Sequence, residues 1–417
     1  MAVHYINGGT MKRFLITLAF CFAAAALFAQ DMSKQTSAFT RTDGTFSERL
    51  EVMLIVQETG ATGIGDFYRS VLRYAVLKNG DIKTQRERTD AEKTAVIICQ
   101  GIAAEKVTGV AAELWQMIDA FDVSRSGGNE GDAMREAAVA LGKIDGREYL
   151  PRLIQRLNNF NTQSYNDQET KKRVQKAVLG FVDALETFKD ISGYRPVFNV
   201  YSGSYDPPIR EIAYRALPNI TDDPSDVVVE IIQDPSTNAH IKLMVWNEML
   251  KTRAPSSSKA KVAAAALATG WNYTTSDIAL QSSLTELRKG AIDAIRRFGA
   301  SDNSVYLNLK KSYDNNFINN SPDFNEIQIT LETLATLKTD EAVGLLLEFL
   351  RVLHERRRSG PWARKERDVL GWVIRNLGAT GTNSTEARFL LTTIGRDSKY
   401  TSQENKWAQD ALKLLGR

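Results

Sequence analysis

Few residues in this chain could act as a nucleophile or its base. Beyond the first thirty positions there are two histidines, His240 and His354, and one cysteine, Cys99. A Ser-His-Asp or Cys-His arrangement would have to be assembled from these alone. His240 precedes an apolar helical stretch that begins near Ile241. His354 follows an apolar helix over 346–353, where an imidazolium would suit the helix dipole. Neither position points to a cleft. Cys99 ends the run Ala95-Val96-Ile97-Ile98-Cys99 and reads as a small buried hydrophobe. Four Cys or His ligands for a structural zinc are not present, and no GxxxxGK[ST] phosphate loop occurs. Gly60, Gly63 and Gly65 lie between helical stretches, without the strand-turn-helix context of a dinucleotide fingerprint. No catalytic residue, metal or cofactor is therefore expected. The 50 acidic residues allow many carboxylate pairs and single out none, so a helical glycan-cleaving enzyme stands as the third reading of function.

Charge offers a sharper candidate. The segment 354–367, HERRRSGPWARKER, contains Arg356, Arg357, Arg358, Arg364, Lys365 and Arg367, with Trp362 between them. Over 356–367 six cations face Glu366 alone, a local charge of +5 in a chain of 53 basic and 50 acidic residues. Arginine can grip carboxylate or phosphate with two parallel hydrogen bonds, and tryptophan can stack on a sugar or a cation. An acidic partner is the functional reading, and a solvated loop between helices is the plain one. A second candidate is the polar face of a later helix, with Arg152, Gln155, Arg156 and Asn159; Lys310, Lys311 and Tyr313 form its equivalent further on. The near-neutral total argues against a dedicated nucleic-acid binder.

The elements that position these residues follow a leader. Met11-Lys12-Arg13, an apolar run over 14–27 and small residues up to Ala29 make a secretory signal peptide over 1–29, with Met11 as the expected start. Cys21 suggests a lipid anchor, but Phe20 is bulky where such a site needs a small residue, so cleavage after Ala29 is expected. Residues 30–43 should lack structure. The remaining chain, 44–417, has no stretch long enough to span a bilayer. It should be periplasmic, and its lone Cys99 has no internal disulfide partner.

That remainder repeats. In Ala133–Leu157, AMREAAVALGKIDGREYLPRLIQRL, one apolar stripe holds Ala137, Ala140, Leu141 and Ile144. After the Asp145-Gly146 turn, a second holds Leu150, Leu153, Ile154 and Leu157. Taking Leu141 as landmark, equivalents fall at Leu54, Ile102, Val182, Leu217, Met249, Ile295, Leu334, Leu377 and Leu412, a mean spacing of about 40 residues. Small or apolar residues recur four positions earlier: Leu50, Ile98, Ala137, Val178, Ala213, Val245, Ala291, Val373 and Ala408, with Thr330 the exception. Polar insertions collect at 124–132, 158–170, 256–258 and 315–325. The last helix, carrying Trp407, Ala411, Leu412 and Leu415, reads as a cap.

The stretches IREIAYRALPNI (209–220), LRKGAIDAIRRFG (287–299) and TLATLKTDEAVGLLLEFL (333–350) resemble HEAT repeats, closest to the short phycobilisome-lyase type within the armadillo-like superfamily. The resemblance covers 44–417 and departs from the pattern in its irregular repeat lengths and in keeping a glycine after the landmark only at Gly142 and Gly378. It implies an all-α, right-handed α-solenoid of about nine two-helix repeats plus a C-terminal cap helix, with the second helices lining a concave surface. Some HEAT-like proteins are metal enzymes built on several His-Glu dipeptides; here only His354-Glu355 occurs. The expectation is a non-catalytic periplasmic scaffold or adaptor that binds proteins of a bacterial cell envelope, acidic ones included, without nucleic acid. The second reading is a binder of an anionic glycan or lipid headgroup through 356–367.

Overall fold

The computed structural model describes residues 32–124, 129–165, 167–319, 322–360 and 363–415. The signal peptide expected over 1–29, with Met11 and Cys21, lies outside them. The described residues contain helices and no strand. Residues 32–39 form α1. Then come α2 (Phe46–Thr59), α3 (Gly65–Lys78), α4 (Gln85–Glu105), α5 (Ala111–Ala120), α6 (Asp132–Lys143), α7 (Leu150–Thr162), α8 (Gln168–Phe188), α9 (Tyr194–Ser202) and α10 (Pro207–Ile220). They are followed by α11 (Ser225–Gln233), α12 (Ala239–Lys251), α13 (Ser256–Asn272), α14 (Ile278–Phe298), α15 (Ser304–Ile318), α16 (Phe324–Leu337), α17 (Asp340–Ser359), α18 (Arg364–Ala379), α19 (Thr385–Ile394) and α20 (Ser402–Leu412). Hydroxyl and carboxylate caps start many of them. Thr45, Thr84 and Thr401 form capping boxes with Glu48, Glu87 and Glu404, while Asp167, Asp277 and Asp323 accept backbone N–H bonds.

The chain divides into two compact units, Met1–Thr221 and Asp222–Arg417. In each, helices pack on their neighbours in sequence order, the arrangement of an all-α, solenoid-like stack. The landmark residues fall on α2, α4, α6, α8 and α10 in the first unit and on α12, α14, α16, α18 and α20 in the second. Within each unit these even-numbered helices pack successively on one another. Nine of the ten residues four positions before the landmarks are fully buried on these helices: Ile98, Ala137, Val178, Ala213, Val245, Ala291, Thr330, Val373 and Ala408, while Leu50 is half-buried. Thr330 fits because its hydroxyl donates back to the Glu326 carbonyl at 2.7 Å. The two post-landmark glycines have the same cause. A Cβ on Gly142 would stand 3.0 Å from the Ala184 Cα, and one on Gly378 would stand 2.9 Å from the Ala411 Cα.

The pairing phase differs from the hairpin read in Ala133–Leu157. Helix α6 packs closely on α5 and α8, while α7 packs on α8 and α9. A 3-10 turn over Arg147–Tyr149 separates α6 from α7 and turns the second stripe onto the following helix. The tight hairpins are thus α3 with α4, α5 with α6, α7 with α8 and α9 with α10 in the first unit. In the second they run from α11 with α12 to α19 with α20. Helix α20, the expected cap, lies against α18 and α19.

Polar ties run between side chains about one repeat apart. Arg73 meets Glu113, Lys143 meets Asp183, Lys310 meets Glu348 and Arg296 meets Glu332. The most buried is Arg288, which holds Glu326 with two bonds of 3.0 and 3.1 Å, donates to the Gly270 carbonyl and lies 4.1 Å over the Trp271 ring. Glu326 is wholly buried.

Three expectations need correction. Of the segment 30–43, expected to lack structure, the described residues from 32 on do not: 32–39 are helical and Phe39 is fully buried. The cause is Arg49, itself buried, whose guanidinium donates to the Phe39 and Arg41 carbonyls and so caps that helix. Leu54 is 45% exposed, and Met53 and Val56 take the core positions of α2 instead. The insertion expected at 256–258 is wholly helical, as the start of α13, and those at 158–170 and 315–325 are partly helical, since they supply the ends of α7 and α15 and the starts of α8 and α16.

Candidate functional site

Cys99, His240 and His354 line neither of the two cavities described below. Cys99 is fully buried in α4, and burial pushes its thiol pKa far up, which leaves it an inert thiol. His240 is exposed in the first turn of α12. His354 is buried, short of the end of α17, with Nδ1 2.8 Å from the Tyr400 hydroxyl and the two rings stacked. It is a packed core histidine and not the exposed dipole partner its position in the sequence suggested. Among the described residues no group of three His, Cys, Asp or Glu side chains could hold a metal ion. No described helix is long and apolar enough to cross a membrane.

The basic segment is mostly helix, not loop. Arg356, Arg357 and Arg358 form the last turn of α17, a favourable place for cations. Arg364, Lys365 and Arg367 open α18. Trp362 lies outside the described residues. Most of the cations are engaged. Arg356 bonds Glu366 at 3.2 Å and covers the Phe317 ring at 5.0 Å. Arg357 donates to the Lys399 carbonyl and lies over Tyr400. The Lys365 ammonium donates to the Phe317 and Asn319 carbonyls, and Arg367 faces the buried Glu404 carboxylate at 3.4 Å. Arg358 and Arg364 are exposed, and their side chains have no partner among the described residues.

A built cavity lies elsewhere, on the first unit, and it contains Arg152 and Arg156. Its volume is about 390 Å3, and α5 and α7 form its walls. The 3-10 turn before α7 places Tyr149 against Trp115, with ring centroids 5.7 Å apart and nearly parallel. Arg152, in the first turn of α7, lies 5.8 Å over Trp115 and 5.5 Å over Tyr149. Its guanidinium has no carboxylate partner among the described residues. Arg156, one turn further, covers Trp115 from 5.9 Å and bridges the end of α5. It reaches Asp119 at 2.7 Å and the buried Asp122 at 2.6 Å. Asp122 also accepts from the Ser124 backbone and hydroxyl, which closes the turn after α5. Gln155, Asn159 and Gln163 complete the lining at intervals of four residues, hence on one face of α7 and its C-cap.

A second cavity of about 210 Å3 shares Phe160 and Gln163 with the first and runs on past Tyr165, Lys171, Gln175 and Tyr205. Tyr205 donates to Asn161 at 3.0 Å, and Tyr165 to the Gln163 side-chain oxygen at 2.7 Å. Burial raises both phenols, Tyr165 to about 12, so they act as neutral donors. Gln175 and Lys171 together hold the Asp206 carboxyl below its usual range. Gln175 is only 6% exposed, and its side-chain amide is committed to that carboxyl.

The further equivalents behave differently. Lys310 is paired with Glu348 and Asp314. Tyr313 is buried between Phe317 and Phe349, so it offers no open face. Sequence reasoning missed Trp115, Asp119, Asp122 and Tyr149 as companions of the two arginines. The repeat carried a signal for them, since Asp119 and Arg156 are 37 positions apart, close to the mean spacing. Compared with known families and with curated proteins, the chain matches no family model and no curated sequence.

Proposed function

We propose that this chain is an exported, non-catalytic scaffold of a bacterial cell envelope that holds protein partners along its helical stack. It is read as a HEAT-like repeat protein that works outside the cytoplasm. The observation that carries the reading is the open polar cavity on α5 and α7, where Arg152, Gln155 and Asn159 present hydrogen-bonding groups without partners among the described residues. Stacked hairpins give a long surface whose side chains can vary without disturbing the core. The leader over 1–29 supports the compartment, by its pattern alone.

The test is crosslinking in the native envelope, with captured proteins identified and then shown to bind the purified chain. Specific partners recovered by the wild type support the scaffold; recovery of none sinks it. A second reading keeps an anionic glycan or lipid headgroup at Arg358 and Arg364, because those two cations are exposed and unengaged among the described residues. It expects binding to anionic vesicles that collapses with salt and disappears when both are changed to Glu. Binding that survives the double change excludes it.

A further inference from the structure

We propose that the paired cavities of the first unit bind an extended peptide segment through its main chain, with one Asp or Glu side chain of that segment held by Arg152. The inference rests on the scaffold reading and names where and how a protein partner would enter.

The spacing argues for a main chain. Gln155, Asn159 and Gln163 advance by four residues, about 6 Å along a helix at ~1.5 Å per residue. An extended chain repeats its outward N–H and C=O every two residues, about 6.6 Å. Each side-chain amide carries both a donor and an acceptor, the complement of a peptide group. From Arg152 to Gln163 is about 16 Å of helix, the length of about five extended residues. The Gln155 and Asn159 side-chain amides and the Gln163 Nε2 have no partner among the described residues.

Charge places the acidic residue. Arg156 is neutralised by Asp119 and Asp122, whereas Arg152 is held over two rings with its N–H groups unclaimed. A guanidinium fixed in this way is ready for a carboxylate in its plane. The other side chains of the ligand meet a balanced, polar lining. A glycan is the weaker fit, because the large rings are not open for stacking. Trp115 is buried beneath Tyr149 and two guanidiniums, and Phe160 is buried as well.

The experiment pans a phage-displayed random heptapeptide library against the immobilised full chain and against R152Q, N159A, Q163A and R358E. Circular dichroism confirms that each is folded. Enriched peptides should carry Asp or Glu at one fixed register. N159A and Q163A should each weaken them by about fivefold, the scale of one hydrogen bond lost net of solvent. R152Q should abolish the acidic preference, and R358E should leave the selection unchanged. Enrichment that ignores R152Q, N159A and Q163A overturns the proposal. So does an absence of enriched peptides, with or without binding of chitohexaose measured by calorimetry. Native crosslinking of the same variants separates the two readings. If partners are captured equally by wild type and groove variants, the scaffold stands and the groove assignment fails. If neither partners nor peptides bind, both fall.

Discussion

Arg152 and Arg156 belong to a stretch of ordinary charge, while the segment 356–367 has six cations against one acid. The structure reverses the ranking that charge density suggests. At α5 and α7 two arginines meet two aromatic rings and two carboxylates around a cavity. At the end of α17 and the start of α18, Arg356, Arg357, Lys365 and Arg367 are taken up by ring faces, carbonyls and carboxylates that close the joint. A run of cations in a helical stack is first a means of satisfying helix ends and inter-helix contacts. A site requires, in addition, a concave surface and a cation left without a partner.

The comparison would break if arginines in the stack were interchangeable, and the most buried one sets the upper limit. Glu326→Ala strands Arg288 with its side chain 12% exposed. It should cost about 3–5 kcal/mol, the penalty of an uncompensated buried charge. Replacing Arg288 and Glu326 together by Met should recover most of that loss. Denaturant unfolding checks both. A single variant as stable as the wild type would mean that the pair carries no weight.

Within the cavity the two arginines should separate. Arg156→Met leaves Asp122 buried without its guanidinium and should destabilise by about 1–3 kcal/mol. Arg152→Gln should change stability by no more than about 0.5 kcal/mol while it alters binding. Equal losses of stability would reduce Arg152 to a structural contact. At the basic segment, Arg357→Met should cost about 1 kcal/mol because the Lys399 carbonyl loses its donor. Arg358→Glu with Arg364→Glu should stay within about 0.5 kcal/mol. If the exposed pair proves the costlier, the division between engaged and free cations is wrong.

How much of this was legible follows from which interactions are local. The landmark stripe was readable because helix faces repeat every three to four residues, and it locates all ten even-numbered helices. Leu54 misled because five apolar residues, Val52 to Val56, adjoin in α2, and only packing decides which of them turn inward. The pairing phase was hidden for a related reason. Asp145-Gly146 looks like a hairpin turn in sequence, yet the 3-10 turn that follows it at Arg147–Tyr149 hands α7 on to α8. Arg152 and Arg156 were visible as a polar face, but their setting depends on Trp115 and Asp119, one repeat away. The basic segment was the most conspicuous feature, and what engages it, from Phe317 to Glu404, lies in other repeats.

The smallest expected effect probes how Arg358 bears on the core beside it. Burial lowers the His354 pKa first, and the nearby Arg358 charge lowers it further, while Asp397 and Glu355 pull it up and Tyr400 bonds its Nδ1. Above about pH 6.5 the imidazole is neutral in both folded and unfolded chains. As the pH falls below that value the unfolded chain takes up the proton and the folded chain resists. Stability should therefore decline with acidification until the lowered folded pKa is reached. His354→Gln should flatten this part of the profile. Changing Arg358→Gln removes a like charge and should move the His354 titration upward, as followed by imidazole proton shifts. Arg364→Gln should leave it where it is, since Arg364 is not among the charges that act on this ring. Identical titrations in both variants would mean that Arg358 does not stand over the His354–Tyr400 pair. Its exposed guanidinium would then serve only a ligand or solvent.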